Sequence, residues 1–346
     1  MKCYLLTKSI CVGLIGAGRI GKIHIENLLQ KISEVKLKIV ADIKIDDTMR
    51  NWALDKGVPR LTNDPNEIFT DPEIEIVLIC SPTNTHAKFI QKAAKVKKHI
   101  FCEKPIDMDI KRIQDTLSIV KEKGVKLMVG FNRRFDRNFL RCYESVSSGQ
   151  IGEPQIVKIT SRDPTPPPID YIKASGGIFF DMTIHDWDMA RYQVRSEVKE
   201  VYATGAVLID NEIGNVGDID TAVAVLKFEN GAFGIIDNTR QAVYGYDQRV
   251  EVFGSKGCVV ADNEATNTVR IYTAECTNID KIPYFFMERY LDSYSTELKS
   301  FFDCLRNNEE PKPNGEDGLQ NVLVALAAQK SYEENRPVKI SEVEKY

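Results

Sequence analysis

The sequence lacks the features that mark a membrane protein or a nucleic-acid-binding protein. No stretch reaches the roughly 18 uninterrupted apolar residues that a membrane-spanning helix needs. Basic side chains are not in excess, because 46 lysines and arginines stand against 50 aspartates and glutamates. The formal net charge of −4 gives no reason to expect nucleic acid or an anionic membrane as a partner. We therefore expect a small-molecule ligand.

Paired cysteines are also missing, since the eight cysteines form no CxxC motif. This pattern argues against a structural zinc site and fits a reducing cytoplasm. No second histidine or cysteine stands at ligand spacing from His185, so we expect no metal. The opening stretch MKCYLLTKSI has too few apolar residues for a signal peptide. We expect a cytoplasmic protein and assign no role to residues 1–10.

The first part of the chain alternates short apolar runs with amphipathic stretches, which predicts a doubly wound parallel sheet over residues 1–131. With 346 residues, the chain is long enough for two domains. The predicted strands are CVGLIG (11–16), LKIVAD (37–42), IEIVLICS (74–81), HIFCEKP (99–105) and KLMVGFN (126–132), with helices at 20–31, 84–97 and 109–123.

The second part, residues 132–346, changes character and predicts an α+β domain with a large, mainly antiparallel open sheet. Asn230-Gly231 favours a tight hairpin between two of its strands. The predicted strands are 155–163, 198–209, 221–228, 232–240 and 249–254, and we expect the last four to be neighbours in sequence order. Helices are predicted at about 133–148, 286–307 and 316–334.

A glycine-rich loop, VGLIGAGRIGKIH, follows the first predicted strand and opens a helix. Gly16 permits the tight turn, Gly18 lets the backbone approach a pyrophosphate, and Gly21 allows close helix–strand packing. Asp42 ends the next strand, where an acid accepts hydrogen bonds from the adenosine ribose. Because a carboxylate there repels a 2′-phosphate, we expect NAD rather than NADP.

Two further motifs carry reactive side chains. FCEKPI places Lys104 at the carboxyl end of a parallel strand, which faces the ligand crevice of such a sheet. FFDMTIHDWDM (179–189) places Asp181 and His185 four residues apart, on one face of a single predicted helix. An isolated pair of this kind is more often structural, but the presence of Lys104 and the glycine loop in the same chain favours a catalytic role. We expect Asp186 and Asp188 to be solvated or capping charges.

These motifs resemble those of the glucose–fructose oxidoreductase / inositol dehydrogenase superfamily: the glycine loop, the EKP tripeptide and the DxxxH helix. The resemblance covers about residues 11–340. GFNRRFDRNF (130–139), SRDPTPPPIDYIKASGG (161–177) and AVYGYDQRVEVFGSKG (242–257) are similar to its inositol 2-dehydrogenase branch, and they are more specific than the glycine loop.

The resemblance implies NAD-dependent oxidation of a ring secondary alcohol of a cyclic polyol, such as myo-inositol to its 2-keto product. It implies that Lys104 contacts substrate and nicotinamide, that His185 accepts the proton and that Asp181 orients His185. The implied substrate-binding residues are these three with Arg133, Asp163 and Tyr246. The implied cofactor-binding residues are Gly16, Gly18, Arg19, Ile20, Gly21, Asp42, Ser81, Asn84, His86 and Glu103.

Alternatives remain open within this resemblance. Position 163 departs from some relatives, which carry asparagine there, and this leaves the preferred stereoisomer open. The alternative substrates are another inositol, such as scyllo-inositol, and a glucose-type sugar. A non-catalytic NAD-sensing regulator is disfavoured because Lys104, Asp181 and His185 are all present. TAVAVLKF (221–228) alternates too little for one face to be in water, and relatives assemble through that sheet, so we expect a homotetramer.

Overall fold

The computed structural model describes residues 9–344, which form two compact units. The first unit runs to Gly130 and also includes residues 294–319. The second contains residues 131–293 and the chain from residue 320 onward. Residues 1–8 lie outside the described part, and within that part no helix is both long and apolar enough to span a bilayer.

Residues 294–319 differ from the expected division, which placed all of 132–346 in the second domain. Aromatic contacts explain their place in the first unit. The ring of Tyr294 lies 5.8 Å from the ring of His24, and the ring of Phe301 lies 6.1 Å from that of Phe101. Such long-range packing leaves no mark in the local sequence pattern.

The first unit is built on a six-stranded sheet of order β3-β2-β1-β4-β5-β6, in which every pair is parallel. Its elements up to Gly130 are β1 (Ile10–Ile15), α1 (Arg19–Gln30), β2 (Val35–Ala41), α2 (Asp47–Lys56), β3 (Leu61–Thr62), α3 (Asn66–Thr70), β4 (Ile76–Ile79), α4 (His86–Lys95), β5 (His99–Glu103), α5 (Ile110–Lys123) and β6 (Leu127–Gly130). The five predicted strands are confirmed, and the two-residue β3 was too short to stand out. The strand order reverses between β1 and β4, where ligands bind in such sheets.

The rest of the chain contributes a seven-stranded sheet, the two-stranded sheet of β13 and β14, and further helices, of which α12 belongs mainly to the first unit. In order the elements are α6 (Arg137–Ser147), β7 (Pro154–Arg162), α7 (Ile169–Ser175), α8 (Ile178–Asp181), α9 (Ile184–Val194), β8 (Val198–Ala206), α10 (Asn211–Asn215), β9 (Thr221–Phe228), β10 (Phe233–Thr239), β11 (Asp247–Gly254), β12 (Gly257–Ala261), β13 (Arg270–Tyr272), β14 (Thr277–Ile279), α11 (Phe286–Arg289), α12 (Leu291–Arg306), α13 (Gly315–Glu334) and β15 (Val338–Lys339). A 3-10 turn, Asn132–Phe135, precedes α6.

The large sheet has the order β12-β11-β7-β10-β9-β8-β15. The predicted α+β class and mainly antiparallel sheet are confirmed, and the Asn230-Gly231 hairpin joins β9 to β10 with Gly231 at φ +88°. The expected sequential order is wrong at one place, because β7 lies between β10 and β11 and runs parallel to β10. The long loop between β10 and β11 lets the chain cross β7, which a tight hairpin would prevent.

The single helix predicted to carry Asp181 and His185 is also wrong. Asp181 ends α8, and His185 lies in the first turn of α9. The backbone N–H of Thr183 donates to the carbonyl oxygen of Ile178, five residues back, which widens the turn between the two helices. The Thr183 hydroxyl also lies 2.8 Å from the side-chain oxygen of Asn238 on β10, which ties this break to the sheet.

Candidate active site

At two positions of the glycine loop in the first unit, a side chain would clash with the neighbouring backbone. Gly16 has φ +94°, and a Cβ there would lie 2.5 Å from the backbone nitrogen of Ser81. A Cβ on Gly21 would lie 1.9 Å from the carbonyl oxygen of Gly16. The turn between β1 and α1 therefore needs glycine at both positions to pack against the end of β4.

The same loop offers an open backbone next to an acid. A Cβ on Gly18 would meet nothing within 4 Å, so the N-terminus of α1 faces open space there. The Asp42 carboxylate accepts hydrogen bonds from the backbone N–H groups of Ala17, at 2.7 Å, and Lys44, at 2.8 Å. An uncovered helix N-terminus beside a carboxylate fits a dinucleotide, with its pyrophosphate at the helix and its ribose at the acid.

The other residues predicted to bind the cofactor differ in how exposed they are to solvent. Arg19 and Asn84 are exposed, whereas Ile20, Ser81 and Glu103 are half-buried. His86 is buried, and its two ring nitrogens lie 2.6 Å and 2.7 Å from the carbonyl oxygens of Ser81 and Pro105. These contacts occupy the His86 ring within the protein, so its role as a direct cofactor ligand stays a prediction.

In the second unit, three neighbouring strands present polar side chains on their buried face. Ser161 of β7 is paired in register with Asn238 of β10 and with Gln248 of β11. The Ser161 hydroxyl donates to the Gln248 side-chain oxygen at 3.1 Å, and the Asn238 amide donates to the Ser161 carbonyl oxygen at 3.2 Å. We call these three residues the polar row.

Arg133 and Asp186 lie against the polar row as a buried ion pair. One guanidinium nitrogen of Arg133 lies 2.5 Å from Asp186, and the other lies 3.3 Å from the Tyr246 hydroxyl. Asn238 donates to the second Asp186 oxygen at 2.9 Å. Burial raises the pKa of Asp186, and the charge of Arg133 opposes that rise. Arg133 and Tyr246 thus contact each other, and their role in substrate binding stays a prediction.

The expectation that Asp186 and Asp188 are solvated is wrong. Both are buried, and Asp188 pairs with Arg134 through two contacts of 2.8 Å and 2.6 Å. A buried carboxylate requires such a partner, because an unpaired charge is costly away from water. The adjacent arginines at 133 and 134 in the sequence were the available signal, since each pairs with one of these two acids.

Asp181 is held from two sides. The hydroxyl of Tyr171, on α7, donates to Asp181 at 2.8 Å, and a guanidinium nitrogen of the fully buried Arg240 lies 3.5 Å from its other oxygen. Arg240 also lies 3.4 Å from Asp218. His185 is half-buried, and the edge of its ring faces that of Phe131 at a centroid distance of 6.2 Å. The predicted acid and histidine thus lie at consecutive helix ends of one unit.

Asp163 stands out electrostatically. Burial raises its pKa to about 6; the charges of Asp181 and Asp186 act in the same direction, and those of Arg240 and Arg133 oppose it. This carboxyl therefore changes charge near neutral pH, as ligand-binding carboxyls often do.

Sequence reasoning missed the polar row and Arg240. A polar side chain at an inward position of an alternating strand was the available signal. Asn238 continues the inward series of Gly234 and Ile236 on β10, and Gln248 begins the inward series of β11. Arg240 follows β10, but nothing in its local sequence announces its complete burial.

Two family models match the chain. Residues 10–131 match the oxidoreductase family with an NAD-binding Rossmann fold, and residues 139–260 match the GFO/IDH/MocA C-terminal domain. A myo-inositol 2-dehydrogenase of Thermotoga maritima is 51% identical over 96% of this chain and 99% of its own length.

Solved structures agree with these matches. A putative myo-inositol dehydrogenase from Sinorhizobium meliloti is 44% identical, with a TM-score of 0.92 over 96% of this chain and 99% of the other. A scyllo-inositol dehydrogenase from Lactobacillus casei, solved with NAD(H) and scyllo-inositol, is 31% identical, with a TM-score of 0.89 over 96% of this chain and 100% of the other. The chain therefore belongs to the GFO/IDH/MocA family of NAD-binding oxidoreductases.

Proposed function

We propose that this protein is an NAD-dependent dehydrogenase that oxidises myo-inositol at one ring carbon to the 2-keto product. The observation that carries the proposal is the polar row beside Arg133, Asp186 and Tyr246 in the second unit. A cyclic polyol presents hydroxyl groups around its whole edge, and it needs a site with both donors and acceptors. Amide, hydroxyl, guanidinium and carboxylate groups supply both.

The proposed residue roles are those that the family resemblance implies, and they suit the chemistry of alcohol oxidation. The bound NAD⁺ supplies the acceptor for the hydride. His185 takes the hydroxyl proton, and Asp181 orients the imidazole and favours its protonated form. Lys104 donates a hydrogen bond to the oxygen as negative charge develops on it. Tyr171 and Arg240 hold Asp181 in place through the contacts described above.

A substrate panel tests this function. Initial rates of NADH formation would be measured with myo-inositol, scyllo-inositol, glucose and a linear hexitol, each with NAD⁺ and NADP⁺. We expect the highest kcat/KM for myo-inositol with NAD⁺. No turnover of any cyclic polyol would refute the proposal, and retained NADH binding without turnover would favour an NAD-sensing regulator.

Scyllo-inositol is the second candidate substrate, because the 31% identical Lactobacillus casei structure is of a scyllo-inositol dehydrogenase with bound scyllo-inositol. The carboxylate of Asp163 accepts hydrogen bonds, whereas an amide in its place would also donate them. That difference bears on which hydroxyl orientation is bound. An Asp163→Asn variant whose myo-to-scyllo ratio of kcat/KM is unchanged would remove position 163 as the selector.

We also propose that a second copy of the chain covers the outer face of the large sheet, toward a homotetramer, and that the protein works in the cytoplasm, as its free thiols suit. Apolar side chains on five adjacent strands are between 39% and 50% exposed on this face. The side chains are Ile156, Val223, Val225, Phe233, Ile235, Phe253 and Val260. We call these seven side chains the apolar patch; Lys158 and Glu251 are exposed among them on the same face. Exposed apolar clusters of this kind are typical of an assembly surface.

The solution mass tests the assembly. Light scattering after size exclusion should give about four chain masses for the native protein and a smaller assembly for Ile235→Lys. Leu54→Lys is the control, because Leu54 is 82% exposed but lies on α2 of the first unit. A monomeric native protein, or an Ile235→Lys variant of native mass, would contradict the proposed surface.

A further inference from the structure

We propose that two buried histidines of the first unit, His24 and His86, position Lys104 by holding the residues on either side of it. This inference rests on the catalytic role proposed for Lys104. His24 binds the side chain of Glu103, and His86 binds the backbone of Pro105. Neither histidine is needed to touch the substrate, so both are positioning residues.

The contact before Lys104 joins a buried histidine to a carboxylate. His24 is fully buried, and its Nε2 lies 2.7 Å from Glu103 Oε1. Gly130, paired with Glu103 across β5 and β6, leaves room for this carboxylate, since a Cβ there would lie 3.0 Å from Glu103 Oε2. Rings of Phe101 and Tyr294 pack edgewise on His24 and fix its plane. The Glu103 side chain therefore points into the unit and anchors the end of β5.

A second carboxyl lies beside this pair without competing for it. Glu297 is fully buried, and its nearer oxygen lies 3.9 Å from His24 Nε2, beyond hydrogen-bond distance. Burial, and then the charge of Glu103, raises the pKa of Glu297 well above its usual range. Of the two carboxyl groups, only that of Glu103 therefore lies within hydrogen-bond distance of His24 Nε2.

The contact after Lys104 links it to another loop. His86 Nδ1 lies 2.7 Å from the Pro105 carbonyl oxygen, and its Nε2 lies 2.6 Å from the Ser81 carbonyl oxygen. The ring thus lies between the loop after β4 and the EKP segment at the end of β5. Both neighbours are carbonyl acceptors, and burial lowers the pKa of His86, so the neutral ring donates its single N–H to one of them and packs against the other. These two strand ends carry Ser81, which is predicted to bind the cofactor, and Lys104, which is predicted to contact the nicotinamide.

Variants that keep or remove single nitrogens test the proposal. His24→Gln retains a donor at the Nε2 position, whereas His24→Leu does not. We expect His24→Leu to lower kcat with inositol on the order of 10- to 100-fold, as displacement of a catalytic group by about 1 Å does. His24→Gln should recover most of the rate. NADH affinity should change by less than about threefold, because binding does not require the lysine to be aligned.

His86 offers a second comparison. His86→Asn keeps the contact of Nδ1 with Pro105, and His86→Gln keeps the contact of Nε2 with Ser81. If holding Pro105 is what matters, the asparagine variant retains the higher kcat. The matched control is His99→Gln, since His99 begins the same strand, β5, and accepts a hydrogen bond from the Lys126 N–H, away from Lys104 in sequence. Equal losses in all three variants would overturn the role of His86.

Double variants separate this inference from the proposed function. In a Lys104→Ala background, His24→Leu should cost almost nothing further, because the amine it positions is gone. An equal cost in both backgrounds would show that His24 acts by stabilising the fold and would overturn the inference. So would a stoichiometric divalent metal on the purified protein that is lost in His24→Leu. Near-normal turnover of Lys104→Ala by itself would instead refute the catalytic role of Lys104.

Discussion

The two sheets of this protein bury their strands in different ways. All four residues of β4 in the first unit are buried, whereas β9 in the second unit alternates between buried and exposed residues. A parallel sheet with helices on both faces can offer ligands only its strand ends. An open sheet has two usable faces, and here one carries the polar row while the other carries the apolar patch.

The two candidate binding regions also differ in which groups they present to a ligand. The first unit presents backbone: a glycine loop in which Gly16 and Gly21 leave no room for a side chain, with the N-terminus of α1 uncovered at Gly18. The second unit presents side chains, which come from separate elements and are paired with one another. Backbone recognises the invariant part of a cofactor, whereas side chains can be exchanged to select a substrate. Substitutions should therefore have different consequences in the two units.

The largest effects are expected from Lys104→Ala and His185→Ala, one substitution in each unit. Each should lower kcat about 10²- to 10⁴-fold, since a general base or an alkoxide-stabilising donor contributes that much. Steady-state rates with myo-inositol and NAD⁺ measure this loss. NADH titration serves as the control, because His185→Ala should bind NADH normally. A variant with near-native kcat would remove its residue from the mechanism.

The next largest effect concerns stability in the second unit. Arg133→Met leaves Asp186 buried without its cation, which should cost about 3–5 kcal/mol of unfolding free energy. Denaturant unfolding measures the change. Adding Asp186→Asn should recover part of the loss, because the uncompensated charge disappears.

Lys111→Ala in the first unit is the matched control for this comparison. It breaks an ion pair with Asp115 whose side chains are 70% and 53% exposed. Exposed pairs of this kind contribute about 0.5 kcal/mol or less. Equal losses in Arg133→Met and Lys111→Ala would contradict the assignment of the Arg133 pair as a structural element of the site.

The sequence predicts the first unit better than the second, because the features of the first unit are local in the chain. The glycine loop and Asp42 lie within one strand–helix–strand segment, so their spacing alone predicts the dinucleotide site. The five buried strands of the first unit are predicted by continuous apolar runs. In the second unit the position of β7 between β10 and β11 depends on pairing across distant segments, which local patterns do not encode.

The substrate region shows the limit more sharply. Arg133 and Tyr246 were assigned through resemblance, and nothing in their own neighbourhoods reveals that they contact each other. Asp186 was judged solvated because polar residues usually are, and its burial depends on an arginine 53 positions away. The widened turn at Thr183 likewise depends on a contact with a strand that follows much later in the chain.

A smaller effect is expected from substitution of Asp42, the carboxylate beside the glycine loop of the first unit. Asp42→Ala should lower kcat/KM for NAD⁺ about 10- to 100-fold, since hydrogen bonds to a charged group contribute about 1.5–3 kcal/mol. It should also improve NADP⁺ relative to NAD⁺. Asp42→Asn separates the causes, because it keeps an acceptor for the Ala17 N–H and removes only the charge. An unchanged cofactor ratio in both variants would contradict the ribose assignment.

The smallest effect is a pH dependence in the second unit. The folded pKa of Asp163 is about 6, above the ordinary value of about 3.9, so this group is neutral in acid and charged above pH 6. If the carboxylate accepts substrate hydroxyls, kcat/KM should rise through pH 6, and Asp163→Asn should lack that inflection.

The same shift has a consequence for stability with the opposite sign. Between about pH 4 and 6 the folded chain holds a proton at Asp163 that the unfolded chain has released, so this group's contribution to stability falls as pH rises. The melting temperature of Asp163→Asn relative to that of the native protein should therefore be higher at pH 7 than at pH 4.5. The assignment to Asp163 is contradicted if the native protein and Asp163→Asn show the same pH dependence of kcat/KM and the same difference in melting temperature at both pH values. The group that titrates near pH 6 would then be a different one.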